Sequence, residues 1–580
     1  FTVNINTQRG KQSGYATLNP LDIPSNAVSG GSVTVKNGNL VADNTAGAGT
    51  NYSLVSSTIG FTTSNTETGY YLEVLNPNTL SGNPAATGFS LWYPQGGVYN
   101  ALYPPGRITY NPNNGFSYNV AGTSFPWGSS FVTGNPTWSA AGSVFSVAVK
   151  GSNVWVAVNG IWVNGGNPAT NTSPFTTIPA GYSQVFPAAL CLEGADLEFN
   201  FGQKPFKFPP PPGFQPLTLA NTPRPTIVRP DQYVGVTTYS GNSGTQSIIT
   251  GFKPDFIWLK NRTGTGYNHA LYDSVRGATK MLSSSETAQE ITYSSVTPQS
   301  NGFVISGAES RVNESGLTYV GWAWKAGGNS NTFNIDDVGY DTASAAGLTA
   351  GTITPTGASV NTKSGFSIIK YAGNQTAGAK VPHGLSQTPD FTIVKQLTGT
   401  EESWRVRHKS IDPTKTLYLN QTVGETSNTE YISGADSTTI TLSSGLAGIN
   451  ANADYIVYAW AEIPGFSKFG SYTGNNSTDG PVIITGFRPK FLLLKATNSS
   501  VNKDWWILDS ERNKYNTTTL GLRPNLSVAE GADDFCDFLS NGFKIRDTPL
   551  DINESGKTYI YAAFAEAPSF NLYGGQSNAR

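Results

Sequence analysis

Three copies of one motif set run through the C-terminal part of this 580-residue chain. Each copy opens on Tyr-x-Gly-Asn, at 239–242, 371–374 and 472–475. A Pro-x-Phe step into an apolar run follows: Pro254-Asp255-Phe256, Pro389-Asp390-Phe391 and Pro489-Lys490-Phe491. Each copy closes on an apolar strand led by Tyr319, Tyr455 or Tyr559. The openings lie 132 and then 101 residues apart, and most of the difference is a Gly-, Ala- and Thr-rich stretch at 329–359. A period this long exceeds that of solenoid repeats, so the copies read as tandem domains, each with its own core. No catalytic constellation recurs among them, which argues for a modular binding or structural protein.

The first and third copies match best. Both carry Gly-Phe-x-Pro-x-Phe from Gly251 and Gly486, Ser-Asn-Gly-Phe from Ser300 and Ser540, and Asn-Glu-Ser-Gly from Asn313 and Asn553. Asn-Gly before an apolar strand is turn chemistry, so these marks have a structural explanation.

Helical periodicity is nearly absent, and strand alternation is common, as at 70–74, 145–149 and 154–158. With 64 Gly, 35 Pro and only 13% charged residues, the chain reads as short strands joined by many turns. The expected fold class is all-β, built of tandem antiparallel β-sandwich domains of jelly-roll or concanavalin-like type. A single short helix is expected at 285–290. The expected organisation is a sandwich at 1–207, a proline-rich linker at 208–231, repeats at 232–328 and 360–465, and a third at 466–580 with a C-terminal tail. The proline-rich segment would alternatively pack as an irregular edge over the sandwich. Segment 329–359 is either a linker or an insertion.

A net charge of −2 with no basic run argues against nucleic acid. The longest apolar runs are of strand length, so no membrane insertion is expected. Cys191 and Cys536 read as buried free thiols, which fits assembly in a reducing cytoplasm. Residue 1 is Phe, which implies a removed leader or a preceding N-terminal part.

Two resemblances follow from particular strings. Residues 154–162 (VWVAVNGIW), Phe186-Pro187-Ala188 and 200–206 (NFGQKPF) resemble the paired strands, Asn-Gly turn and closing strands of SPRY domains. The lead-in at 15–20 resembles the version attached to phage structural proteins. The resemblance implies a concanavalin-like antiparallel sandwich that binds through loops and has no catalytic chemistry. The chain departs from that pattern between 76 and 140, so no binding residue is carried over. The string 251–262 (GFKPDFIWLKNR), continued at 272–277 and 319–328, is similar to a module repeated in tail-fibre and virion proteins of marine and cyanobacterial phages. The ending at 573–580 looks like a natural terminus of such chains. Together the resemblances imply a virion structural protein of fibre or appendage type.

Asp196 and Glu198 would share one face of a strand, the arrangement of a glycosidase acid pair, but a solvated strand edge explains them better. His269, His383 and His408 form no metal-ligand spacing. Ser274, His269 and Asp273 contain a Ser-His-Asp set, but neighbours on one strand do not converge as a triad. The acidic cluster Asp533, Asp534 and Asp537 lacks the spacing of a calcium loop. Neither catalytic residues, nor a metal, nor a cofactor are therefore expected. Aromatics carry the binding expectation, because exposed Trp and Tyr stack on sugar rings. Trp505 and Trp506 are adjacent and must face opposite sides of a strand, which makes one a candidate for exposure. Tyr93, Tyr99 and Tyr103, in Pro- and Gly-rich loops, are candidates of the same kind. The expected protein is a non-enzymatic virion component that contacts a host-surface polysaccharide or protein receptor. Its other partners would be virion proteins and further copies of itself, with a trimer as one form. Capsid decoration by chain-to-chain packing is the alternative, and a polysaccharide depolymerase a remote third.

Overall fold

The apolar runs of the sequence become strands buried on both faces. The computed structural model describes residues 14–21, 33–44, 52–63, 65–77, 87–92, 107–111, 115–119, 140–178, 184–192, 196–222, 225–264, 266–498, 503–546 and 551–568. It is all-β and predominantly antiparallel. Two compact units divide between Arg224 and Pro225.

The first unit is built on a nine-stranded and a six-stranded sheet. The Asn-Gly turn forms as its chemistry dictates: Asn159 and Gly160 take φ of 47° and 82°, and Val158 pairs with Ile161. The proline-rich segment is not a free spacer. Phe214–Pro216 adds a parallel strand to Gly69–Leu75, and Phe214 packs edge-on against Trp155. Leu217 and Leu219 are buried, and beyond the division Ile227 joins the core of the second unit. The apolar residues set between the prolines override their preference for extended, solvated chain.

The second unit holds the three repeats. In each, a main sheet runs in the order opening, closing, inner and outer strand. In repeat 1 these are Val234–Ser240, Thr318–Trp324, Phe256–Asn261 and Ala270–Asp273. In repeat 2 they are Phe366–Ala372, Asp454–Trp460, Phe391–Gln396 and Arg405–His408. In repeat 3 they are Ser467–Thr473, Thr558–Pro568, Phe487–Ala496 and Trp506–Asp509. A second sheet, of three strands in repeats 1 and 2 and four in repeat 3, covers one face of each main sheet.

Period-two alternation then splits each strand between two cores. Ile257 and Leu259 face repeat 1's own small sheet, whereas Phe256, Trp258, Trp322 and Trp324 enter a cluster shared with the other repeats. In repeat 2, Tyr455 and Val457 face inward, while Tyr458 and Trp460 join the shared cluster. The three repeats are therefore not independent domains with separate cores. A sheet apolar on both faces needs a cover on each, and the second cover is the neighbouring repeats.

The 329–359 segment is an elaboration of repeat 2. Phe333–Ile335, Val338–Tyr340 and Pro355–Asn361 extend its main sheet beyond the opening strand. The expected helix at 285–290 is absent. That stretch is a turn at Ser285 followed by irregular chain against repeat 2, and its Glu286 and Thr287 carbonyls accept bonds from Trp404 and Lys395.

Candidate functional site

The repeated marks form a lock. The opening and closing tyrosines stack in every repeat: Tyr239 on Tyr319 at 5.2 Å, Tyr371 on Tyr455 at 5.1 Å, Tyr472 on Tyr559 at 5.1 Å. The motif asparagine donates its backbone N–H to a second asparagine side chain, Asn242 to Asn313, Asn374 to Asn450 and Asn475 to Asn553. Between them the glycine is obligatory, because a Cβ on Gly373 would lie 2.0 Å from the Ala451 carbonyl oxygen.

A second set of equivalent residues ties the repeats into a ring. Lys260, Lys395 and Lys495 hold the same place on the three inner strands and are fully or almost fully buried. Each ammonium donates to a carbonyl of its own repeat and to one of a neighbour. Lys260 reaches Ser527 at 3.2 Å, Lys395 reaches Thr287 at 2.7 Å, and Lys495 reaches Thr422 at 2.7 Å. The direction is cyclic: repeat 1 to 3, 2 to 1 and 3 to 2. The residue before each outer strand follows it, with His269 Nε2 on the Arg523 carbonyl (3.0 Å), Trp404 Nε1 on Ser283 (2.9 Å) and Trp505 Nε1 on Tyr418 (2.9 Å). Backbone bonds from Glu290, Glu425 and Glu530 to Leu397, Thr497 and Arg262 complete the pattern. On the axis, Trp324, Trp460 and Phe564 form a triangle with centroid separations of 6.4, 5.7 and 6.4 Å. Such head-to-tail interfaces close into a ring when the rotation per step is a third of a turn. One chain thus builds a pseudo-trimer.

The ring also explains a departure from the repeat. Trp322 Nε1 donates to Asp509 at 3.0 Å, and Tyr458 OH donates to Asp273 at 2.7 Å. At the third junction the aromatic is replaced by Ala562 and the aspartate by His408. His408 spans the gap and donates to the Tyr561 carbonyl at 3.1 Å.

These bonds settle the histidines. Nδ1 of His269 accepts from Trp258, so its proton sits on Nε2. Burial drives His269 well below the usual histidine range and His408 to about 3, so both are neutral donors. Ser274 bonds Asp255 and Asp273 pairs with Arg276, so the Ser-His-Asp set does not converge. Glu198 is paired with Lys204. Asp537 holds Arg546 at 2.6 Å while Asp533 and Asp534 are exposed.

Neither Trp505 nor Trp506 is exposed; they retain 1% and 3% accessibility. They do face opposite ways, but both faces are covered. Trp505 points at repeat 2, and Trp506 packs on Phe535 under the Arg523 guanidinium. Tyr93, Tyr99 and Tyr103 lie outside the described residues.

Sequence reasoning missed a cleft of about 400 Å³ in repeat 1. Gln232 and Tyr233 form one wall, Gly251, Phe252, Lys253 and Ser300 another, and Lys325, Gly328 and Asp337 the third. Tyr233 is held edge-on to Phe466. Lys325 pairs with Asp337 at 2.9 Å, and Lys253 bonds Ser330 at 3.0 Å. Asp337 stands on the hairpin turn of the inserted segment, with φ of 68°. Gly328 leaves room for its carboxylate, since a Cβ there would meet Asp337 Oδ1 at 2.0 Å. Repeats 2 and 3 place Ala461 and Ala565 where repeat 1 has Lys325. The available signal was Lys253 and Lys325 at places where the copies differ.

No curated protein matches the chain. Among solved structures, the SPRY domain of human HERC1 is similar over 31% of this chain and 96% of that one, at 12% identity and a TM-score of 0.22. Residues 229–568 match a family described as a domain of unknown function, DUF7483, and that span takes in all three repeats. With more than half of its length matched, the chain belongs to the DUF7483 family.

Proposed function

We propose that this chain is a non-enzymatic structural protein of a phage particle, of fibre or appendage type. Its second unit would be a rigid head that contacts host-surface polysaccharide or a protein receptor. The observation that carries this reading is the cyclic interface. Three modules are consumed in one interlocked scaffold, while the differences between copies open a cleft at one of them. The interior histidines and lysines serve carbonyl oxygens, which is the work of a scaffold. The resemblance of 233–570 to a module of phage virion proteins supports the same reading. Its place would be the virion, its neighbours other virion proteins and further copies of itself.

The test has two parts: immunolabelled electron microscopy of particles that carry the chain, and binding of the purified chain to host cells. Label at the distal end of an appendage, with binding to cells, is expected. Label on a shell lattice without cell binding overturns attachment. It would favour capsid decoration instead, a reading recommended by the opening strands of repeats 1 and 3, which lie at sheet edges among the described residues.

A further inference from the structure

We infer that the cleft of repeat 1 binds an acidic sugar residue of a polysaccharide. This rests on the attachment reading and names the ligand class of its contact site. The volume of about 400 Å³ lies in the range of small-ligand sites. Its chemistry is selective. Lys253 and Lys325 each present three N–H donors, and one protein partner is seen for each among the described residues. The remaining donors suit an anionic group, for which charge-assisted bonds are the strong kind. Asp337 accepts from sugar hydroxyls, and the Gln232 amide and Ser300 hydroxyl serve as donor or acceptor. The Tyr233 ring supplies an apolar wall for a pyranose.

The two lysines outweigh the one carboxylate that lines the cleft, so an acidic residue is favoured over a neutral one. The site is particular to repeat 1. Besides the alanines in place of Lys325, repeat 3 has Arg488 in place of Lys253, and Arg488 is engaged by Glu566 at 3.0 Å. Repeat 2 has Thr388 there. The third wall exists because the inserted hairpin brings Asp337 back to Lys325.

The experiment uses the full chain and three oligosaccharide sets matched in backbone. One carries a carboxylate on each residue, one a sulfate ester, and one neither. Calorimetric titration is expected to show binding to a charged set at least tenfold tighter than to the neutral set, and the preferred set identifies the anion. K253Q/K325Q should weaken that binding tenfold or more, and K253R/K325R should restore most of it. K253Q alone, whose lysine bonds Ser330 and no other side chain seen among the described residues, serves if the double variant melts early. Charged-set binding unchanged by the glutamine variants, or equal binding to the neutral set, overturns the cleft assignment. Host-cell binding that also survives those variants leaves the attachment reading in place. No binding to any set or to host cells removes both.

Discussion

Lys395 carries a charge into a fully buried place, where its ammonium bonds the Glu402 and Thr287 carbonyls, each at 2.7 Å. Burial lowers it to about 8, and lowers Lys260 to about 8 and Lys495 to about 7. The folded value lies below the unfolded one of about 10.4. Between those values the unfolded chain therefore binds more protons, and stability rises with pH. Each lysine contributes a slope of about 1.4 kcal/mol per pH unit inside that window. Buried thiols oppose it, because Cys191 and Cys536 are raised by burial and lose protons first in the unfolded chain. The comparison that isolates one lysine is Lys395→Met against wild type, by urea unfolding at about pH 8.5 and 9.5. The variant should show a slope lower by about 1.4 kcal/mol per pH unit; parallel slopes would mean that Lys395 does not titrate in this window. A second residue-scale test concerns the lock. Gly373→Ala places a methyl group against the Ala451 carbonyl and should cost about 1–3 kcal/mol. Gly378→Ala, with open space at the Cβ but φ of 77°, should cost about 1 kcal/mol through backbone strain alone. Equal losses in thermal melts would discount the close approach.

At the scale of elements, the opening strands differ in what lies beyond them. In repeat 2, Tyr371 and its alternate neighbours bond the closing strand, so Ile368 and Lys370 present their N–H groups to Pro355–Asn361. In repeat 1, the bond of Lys325 N–H to the Tyr233 carbonyl sets the same phase, and Thr238 points away from its only strand neighbour among the described residues. Thr238 is also exposed. Its amide should exchange with solvent at least a hundredfold faster than that of Lys370, as read by hydrogen exchange with fragment-level resolution. Equal protection would show that something covers the first edge as the inserted strand covers the second. Much of this was legible beforehand: the Pro-x-Phe steps lead into the inner strands of repeats 1 and 2 and lie within that of repeat 3, and the Tyr-led runs form the closing strands. The sharing of a core was also written in the sequence. Phe256-Ile257-Trp258-Leu259 has no polar alternation, which a sheet with one wet face would show. What pattern reading cannot supply is which surface covers the second face. One of Trp505 and Trp506 therefore reads as a candidate for exposure, and 285–290 as a helix, although Trp505 is covered by repeat 2, Trp506 by Phe535 and Arg523 of its own repeat, and the Glu286 and Thr287 carbonyls are bonded by repeat 2. The cleft escaped for a similar reason: Lys253 and Asp337 are 84 residues apart and meet only through the inserted hairpin.

For the whole molecule, the ring decides how the chain unfolds. If the repeats were beads on a string, each would open alone, and the axis aromatics would face water. Here Trp460 lies at 4% exposure, stacked on Phe366 and Phe391 and within 6.4 Å of Trp324 and Phe564 from the other repeats. Opening one repeat strips apolar cover from the other two and leaves the lysine-bound carbonyls of its neighbours unpaired. An unpaired buried carbonyl costs about 1–3 kcal/mol, and each junction holds several such bonds. Each junction thus adds a coupling of several kcal/mol to the cost of opening one repeat alone, and the three should unfold together. Calorimetry of the full chain is expected to show at most two transitions, one per unit, rather than four. Trp460→Ala removes the axis contact and should destabilise by about 3–5 kcal/mol. The discriminating observation is where that loss is felt. Amides of the inner strands Phe256–Asn261 and Phe487–Ala496, in repeats that carry no mutation, should lose protection in step with those of Phe391–Gln396. Loss confined to repeat 2 would mean that the shared core adds contacts without adding cooperativity, and the ring would then be three domains in contact rather than one folding unit.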